Sequence, residues 1–297
     1  MKFSYVQIGA KDYRSLADFY VKALDFSPSG KTDWLPGKDG TVLRAPGFSE
    51  GSTAPMFGFV PAQEGVPAKI NDTGYAHICF ETTDVAGAVG RLLRYGGSIV
   101  STMKHPKRHP CVYCADPEGN IVEFHIPFPS EKTVSEYLTA AGSILGLLHD
   151  SGIRHSGRPS GLKFIHVNMI TADWEALCSF YKAVTDCEDF GKIKDHQGSY
   201  KSSVIGIPDV HVRGRHLLLK GFCRSFPTFE VFTYSVPGRA EPCDETARGI
   251  ELIGFAADDP NAAAETIAAA GGHIFSAAPD TVLAGDIQSG RILLRKA

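Results

Sequence analysis

The residues of this chain best suited by type to do chemistry lie inside apolar runs. Glu123 sits in Ile121-Val122-Glu123-Phe124-His125, and Glu230 in Phe229-Glu230-Val231-Phe232. His77 opens His77-Ile78-Cys79-Phe80, and His166 opens His166-Val167-Asn168-Met169. Each run reads as a strand, with successive side chains on opposite faces. His77 then shares a face with Cys79, and His166 with Asn168 and Ile170. Glu123 goes with His125, and Glu230 with Phe232 and Tyr234. In each strand the ionisable residue occupies the less apolar face. A carboxylate buried in such a strand needs a cation or a proton. That points to a divalent ion or to proton transfer.

Other groups carry weaker signals. His125 and Tyr234 are candidate proton donors or supporting partners, with plain packing the alternative for Tyr234. Cys79 is a candidate substrate contact, although a small buried hydrophobe is the commoner role for such a residue. The basic run Lys104-His105-Pro106-Lys107-Arg108-His109 reads either as a solvated loop or as an anion clamp. In the second case Lys107 and Arg108 would hold a substrate carboxylate or phenolate. His211, Arg213, Arg215 and His216 form a lesser set of the same kind. Cys111-Val112-Tyr113-Cys114 has C-x-x-C spacing, but it falls in a strand pattern, where the two thiols point to opposite faces. A structural role is expected there.

The elements that position these residues repeat. Asp12 precedes Phe19-Tyr20 as Asp173 precedes Phe180-Tyr181. Asp84 precedes Gly96-Gly97 as Asp259 precedes Gly271-Gly272. Each Asp follows an alternating strand and opens a helix, which suits an N-cap. The glycine pairs read as helix stops. The chain is therefore four modules in the order A, B, A, B, ending near Pro61, Pro127, Pro237 and the C-terminus. Between the second and third modules, an apolar stripe predicts a helix over 130–149, followed by a Gly/Ser/Arg-rich linker over 153–161. The expected organisation is one domain over 1–128, a linker over 129–160, and a second domain over 161–297.

A strand that begins with His, an Asp seven residues on, and a later Asp116-Pro117-Glu118-Gly119-Asn120-Ile121-Val122-Glu123 resemble the vicinal oxygen chelate (VOC) superfamily. That superfamily includes glyoxalase I, extradiol dioxygenases, and fosfomycin- and bleomycin-resistance proteins. The resemblance covers nearly all of the chain outside the linker. It implies an α+β fold of βαβββ modules, two of which face each other in a curved, barrel-like sheet around a divalent metal. The ligands come from the first and last strands of each module. Aligned this way, the first-strand position holds Tyr5, His77, His166 and Leu252 in module order. The last-strand position holds Phe57, Glu123, Glu230 and Leu294.

Modules two and three thus keep both ligands, and modules one and four neither. The resemblance implies one site, His77, Glu123, His166 and Glu230, if modules two and three face each other within a chain or across a homodimer. Modules one and four would form a packed counterpart. Two imidazoles and two carboxylates suit one divalent transition metal per chain, whether Fe, Ni, Zn, Co or Mn. The set resembles that of glyoxalase I, a lyase in which Glu acts as base and the metal stabilises an enediolate. That implies a lyase or isomerase acting on a small vicinal-oxygen substrate, with Glu230, Glu123 and His125 catalytic and Cys79, Asn168, Phe232, Tyr234, Lys107 and Arg108 contacting the substrate. An Fe(II) ring-cleaving dioxygenase is the second reading, and a non-catalytic binding or resistance protein the third. Glyoxalase I places an Arg four residues after its first-strand ligand, where this chain has Glu81 and Ile170, which puts a glutathione site in doubt.

Composition fits these readings. The chain has 297 residues, 43% of them hydrophobic and 21% charged, with net charge −3. A bulk charge of that sign gives no case for nucleic-acid binding. No apolar run reaches the roughly 20 residues that span a bilayer. Seven cysteines spread over this length, with no leader pattern, suggest a reduced cytoplasmic protein, monomeric or homodimeric.

Overall fold

The computed structural model describes residues 1–29, 34–35, 39–48, 54–62, 67–127, 161–222, 227–240 and 248–297. The helix and linker expected over 130–160 lie outside the described residues. The first module comprises β1 (Lys2–Ala10), α1 (Tyr13–Leu24), β2 (Ser27–Pro28), β3 (Thr41–Arg44) and β4 (Met56–Pro61). The second comprises β5 (Gly74–Glu81), α2 (Val85–Arg94), β6 (Ser98–Ile99), β7 (Cys111–Ala115) and β8 (Ile121–His125). The third comprises β9 (Lys163–Ile170), α3 (Trp174–Thr185), β10 (Glu188–His196), α4 (Ser199–Ile205), β11 (Val212–Leu218) and β12 (Thr228–Tyr234). The fourth comprises β13 (Gly249–Ala257), α5 (Pro260–Ala269), β14 (His273–Ala278), β15 (Thr281–Gly285) and β16 (Arg291–Lys296).

The repeated aspartates cap the four long helices as the pattern predicts. Asp12 accepts from the Ser15 amide and Asp84 from the Gly87 amide. Asp173 accepts from Glu175 and Ala176, and Asp259 from Asn261 and Ala262. Each carboxylate satisfies amides that the first helical turn leaves open.

Among the described residues, the strands form two eight-stranded mixed sheets. One runs β14-β15-β16-β13-β1-β4-β3-β2, the other β10-β11-β12-β9-β5-β8-β7-β6. The first therefore joins modules one and four through the antiparallel pair β1/β13, and the second joins modules two and three through β5/β9. Each sheet takes one module from each half of the chain. Neither closes into a barrel, because β2, β14, β6 and β10 remain as edges. The faces opposite the candidate site share one apolar core. Phe57 of one sheet meets Phe164 of the other at 5.2 Å between centroids, and Phe3 meets Phe229 at 5.4 Å. This packing ties all four modules together and leaves the other face of each sheet to its own contents.

Candidate metal centre

The β5/β9 junction brings together the four residues expected from modules two and three. In the register, Cys79 lies opposite His166 and His77 opposite Asn168. The outer parallel pairs set Glu123 beside Cys79 and Glu230 beside Asn168. His77 Nε2 lies 3.1 Å from Glu123 Oε2 and 3.5 Å from Glu230 Oε2. His166 Nε2 lies 3.2 Å and 3.4 Å from the same two oxygens, and 3.4 Å from His77 Nε2. All four side chains are buried.

Their electrostatics show how strongly they interact. Burial alone would depress the His77 pKa, but hydrogen bonds and charge from Glu123 and Glu230 outweigh it and raise the value to about 9. Burial wins at His166, whose pKa falls. Burial would also raise both carboxyls. Hydrogen bonds to His166 and His77 instead hold Glu123 well below the ordinary range, and the His166 charge with the His216 hydrogen bond does the same for Glu230. Two ionised carboxylates in so small a space call for positive charge between them.

The donor set fits a divalent ion. One donor atom from each of the four residues falls within a span of 4.8 Å. An ion with bonds of about 2.0–2.2 Å sets neighbouring ligand atoms roughly 3 Å apart, which matches the contacts above. Both carboxylates are also held from behind. Glu230 Oε1 lies 3.2 Å from His216 Nε2, and His216 Nδ1 lies 2.9 Å from Thr228 Oγ1. Asn168 Nδ2 donates to Glu230 Oε2 at 3.0 Å. The Cys111 thiol donates to Glu123 Oε1 at 3.0 Å. Such partners orient a ligand and tune its basicity.

The cluster forms the floor of a cavity enclosing about 820 Å³, part of it open to solvent. Glu123, His166 and Glu230 line it, together with His125, Phe232 and Tyr234. Cys79 and Asn168 do not. Cys79 packs with Ile165 and Phe190, and Asn168 is fully buried behind Glu230. Lys107 and Arg108 sit exposed on a short 3-10 turn and are absent from the cavity wall. The cations on that wall are instead Lys194 of β10 and Lys201 of α4, with His196 and His216. Neither lysine is among the residues the sequence singles out; for Lys194 there is a signal, since Phe190, Lys194 and His196 share a parity and so one face of a strand. His216, weighed only as part of a weak anion set, proves to be the partner of Glu230. Cys111, read as structural, reaches Glu123 and lines the cavity.

The other sheet shows the same geometry without the chemistry. By register the position equivalent to Glu123 is Gly58, not Phe57, and the one equivalent to Glu230 is Leu293, not Leu294. Phe57 and Leu294 belong to the shared core on the opposite face. Tyr5 takes the His77 position and lies flat on Trp34 at 5.0 Å, beside Leu252 and Leu293. A Cβ at Gly58 would lie 1.8 Å from the Tyr5 hydroxyl, so that phenol fills the space a ligand side chain would use. The hydroxyl donates to Gln7 Oε1, and Gln7 donates to Glu251.

The fold and the four-residue cluster together define an α+β protein of paired βαβββ modules with a buried His/Glu group able to hold a metal ion. Residues 2–124 match the family model described as Glyoxalase/Bleomycin resistance protein/Dioxygenase superfamily. The fold is similar to that of glyoxalase I from Zea mays, with a TM-score of 0.60 at 15% identity over 99% of this chain and 92% of the other. It is also similar to a putative dioxygenase from Bacillus subtilis, with a TM-score of 0.59 at 13% identity over 100% and 85%. No curated protein matches the sequence. Among the described residues, no helix is long and apolar enough to cross a membrane.

Proposed function

We propose that the chain is a divalent-metal-dependent enzyme that moves a proton on a small substrate carrying adjacent oxygens, in lyase or isomerase chemistry. The observation that supports this reading is the convergence of His77, Glu123, His166 and Glu230 in one cluster, three of whose members line the cavity. These four residues would hold the ion, and the ion would supply Lewis-acid stabilisation to a substrate oxyanion. Glu230 is the proposed base. Its Oε1 is held by His216, so the carboxylate keeps its aim while accepting a carbon-bound proton. Glu123 and His125 line the same cavity and complete the proposed catalytic set. Tyr113, Phe190, Phe232 and Tyr234 give the walls an aromatic character and exclude water from the developing charge.

Those aromatic walls also suit a ring, which favours Fe(II)-dependent ring cleavage as a second reading. Metal analysis of the wild type and His166→Ala, purified without added metal or chelator, is the first test. The expected result is about one divalent ion per wild-type chain, lost in the variant. A folded protein that takes up no Fe, Ni, Co, Zn or Mn would overturn both enzymatic readings. Oxygen uptake with catechols would favour the second over the first.

A further inference from the structure

The cavity wall has an uneven charge that the proposed chemistry does not use. Among the described residues, the acids on the wall are Glu123 and Glu230, both occupied by histidines. Two lysines face the same space. Lys201 projects from α4, and Lys194 lies on β10 across from Gly214 of β11. Both are half-buried. Lys201 lines the same wall as Cys111, His125 and His196. Burial, with the lysine charges adding to it, holds His196 neutral near an ordinary pH, its pKa lowered to about 4.

The helix that carries Lys201 is anchored. Ser101 Oγ donates to the Val204 carbonyl at 2.5 Å, and the Thr102 amide donates to the Ser203 carbonyl at 2.8 Å. Module two thus clamps this short helix of module three, and Val204 and Ile205 present an apolar wall beside the lysine. An ammonium on a fixed element, beside aromatic and aliphatic surface and with no uncommitted carboxylate among the described wall residues, is arranged to receive an anion. With the ligand cluster at the floor, the cavity has two ends of different chemistry and an apolar middle.

We propose that Lys201, supported by Lys194, is an anion-binding subsite. The substrate would then carry an oxyanion, a carboxylate or a phosphonate-like group, at one end of an apolar or aromatic body, and adjacent oxygens at the other. The substrate assignment rests on the metal reading above; the subsite itself does not.

The first experiment uses chelator-treated, metal-free protein at low ionic strength. Phenylacetate and its neutral isostere phenylacetamide are titrated by calorimetry. The expected result is at least tenfold weaker binding of the amide, and at least a tenfold loss of phenylacetate binding in Lys201→Met. Lys201→Arg should retain it, which guards against a folding artefact, and Lys107→Met should be unchanged. Equal binding of acid and amide, or equal binding by wild type and Lys201→Met, would overturn the subsite. Phenylphosphonate in place of phenylacetate identifies the preferred oxyanion, and selective binding of either supports the proposal. The second experiment uses zinc-loaded protein with 3,4-dihydroxyphenylacetate and 4-methylcatechol. Tighter binding of the acid, lost in Lys201→Met, supports the full substrate class. Equal binding of both catechols overturns the subsite and leaves the metal reading standing. Binding of neither catechol, with phenylacetate still lysine-dependent, removes the metal reading and keeps the subsite.

Discussion

The two sheets have the same strand order and, across their four central strands, the same register, and opposite contents. His77 corresponds to Tyr5, His166 to Leu252, Glu123 to Gly58 and Glu230 to Leu293. Cys79 corresponds to Gln7 and Asn168 to Gly254. One set places Glu123, His166 and Glu230 on the wall of a cavity; the other is filled by Tyr5, Trp34, Leu252 and Leu293. The backbone therefore offers two equivalent cradles, and side-chain volume decides whether each holds a ligand or a core. The filled cradle needs no ion to be stable, because its phenol and indole occupy the space with matched apolar surface. The open cradle sets two carboxylates against two imidazoles and leaves room above them. Function in this fold lies in the side chains grafted onto it.

Four substitutions or conditions would break or sharpen that contrast. Glu230→Ala should cost the most, with activity falling about 10²–10⁴-fold as the base is lost. Near-normal turnover, measured with the substrate once identified, would remove Glu230 from the mechanism. Tyr5→Ala should act only on the filled side. Loss of a fully buried aromatic ring costs about 3–5 kcal/mol, read as a lower denaturant midpoint, while metal content stays unchanged. A change in metal content would show that the two sheets are coupled. His216→Ala should lower metal affinity about 10–100-fold, because it frees Glu230 Oε1; a chelator competition titration reads this directly.

The smallest effect concerns pH in the metal-free protein. The folded His77 pKa is raised from 6.5 to about 9. Its contribution to stability is therefore full below about pH 6.5 and is lost as pH rises toward 9. A bound ion would take the place of that proton, so metal-loaded protein should lack this decline. Urea midpoints across the interval, with and without zinc, would reveal it. Identical profiles would argue against ion binding at His77.

Much of the arrangement was legible from the chain alone. The repeated aspartates announced four helix starts, and all four are caps. The split of His and Glu between modules pointed to pairing of modules two and three, and β5/β9 joins them within one chain. Reading failed where it depended on depth. Phe57 and Leu294 lie one residue from the equivalent positions Gly58 and Leu293, and a shift of one residue exchanges the two faces of a strand. Lys107 and Arg108 looked suitable by charge density, but a run of cations says nothing about which surface it covers. Lys201 stood alone in the sequence and gave little sign of importance until α4 was placed beside β7.

Local pattern determined the strands, the caps and the residue types able to chelate, because alternation and capping depend on neighbours within a few positions. Tertiary structure decided which oxygens meet which nitrogens, that Cys111 and His216 support the two carboxylates, and that Lys194 and Lys201 line the cavity. Those contacts join residues far apart in the chain, across strand pairs whose register is set by the packing of whole sheets against a shared core.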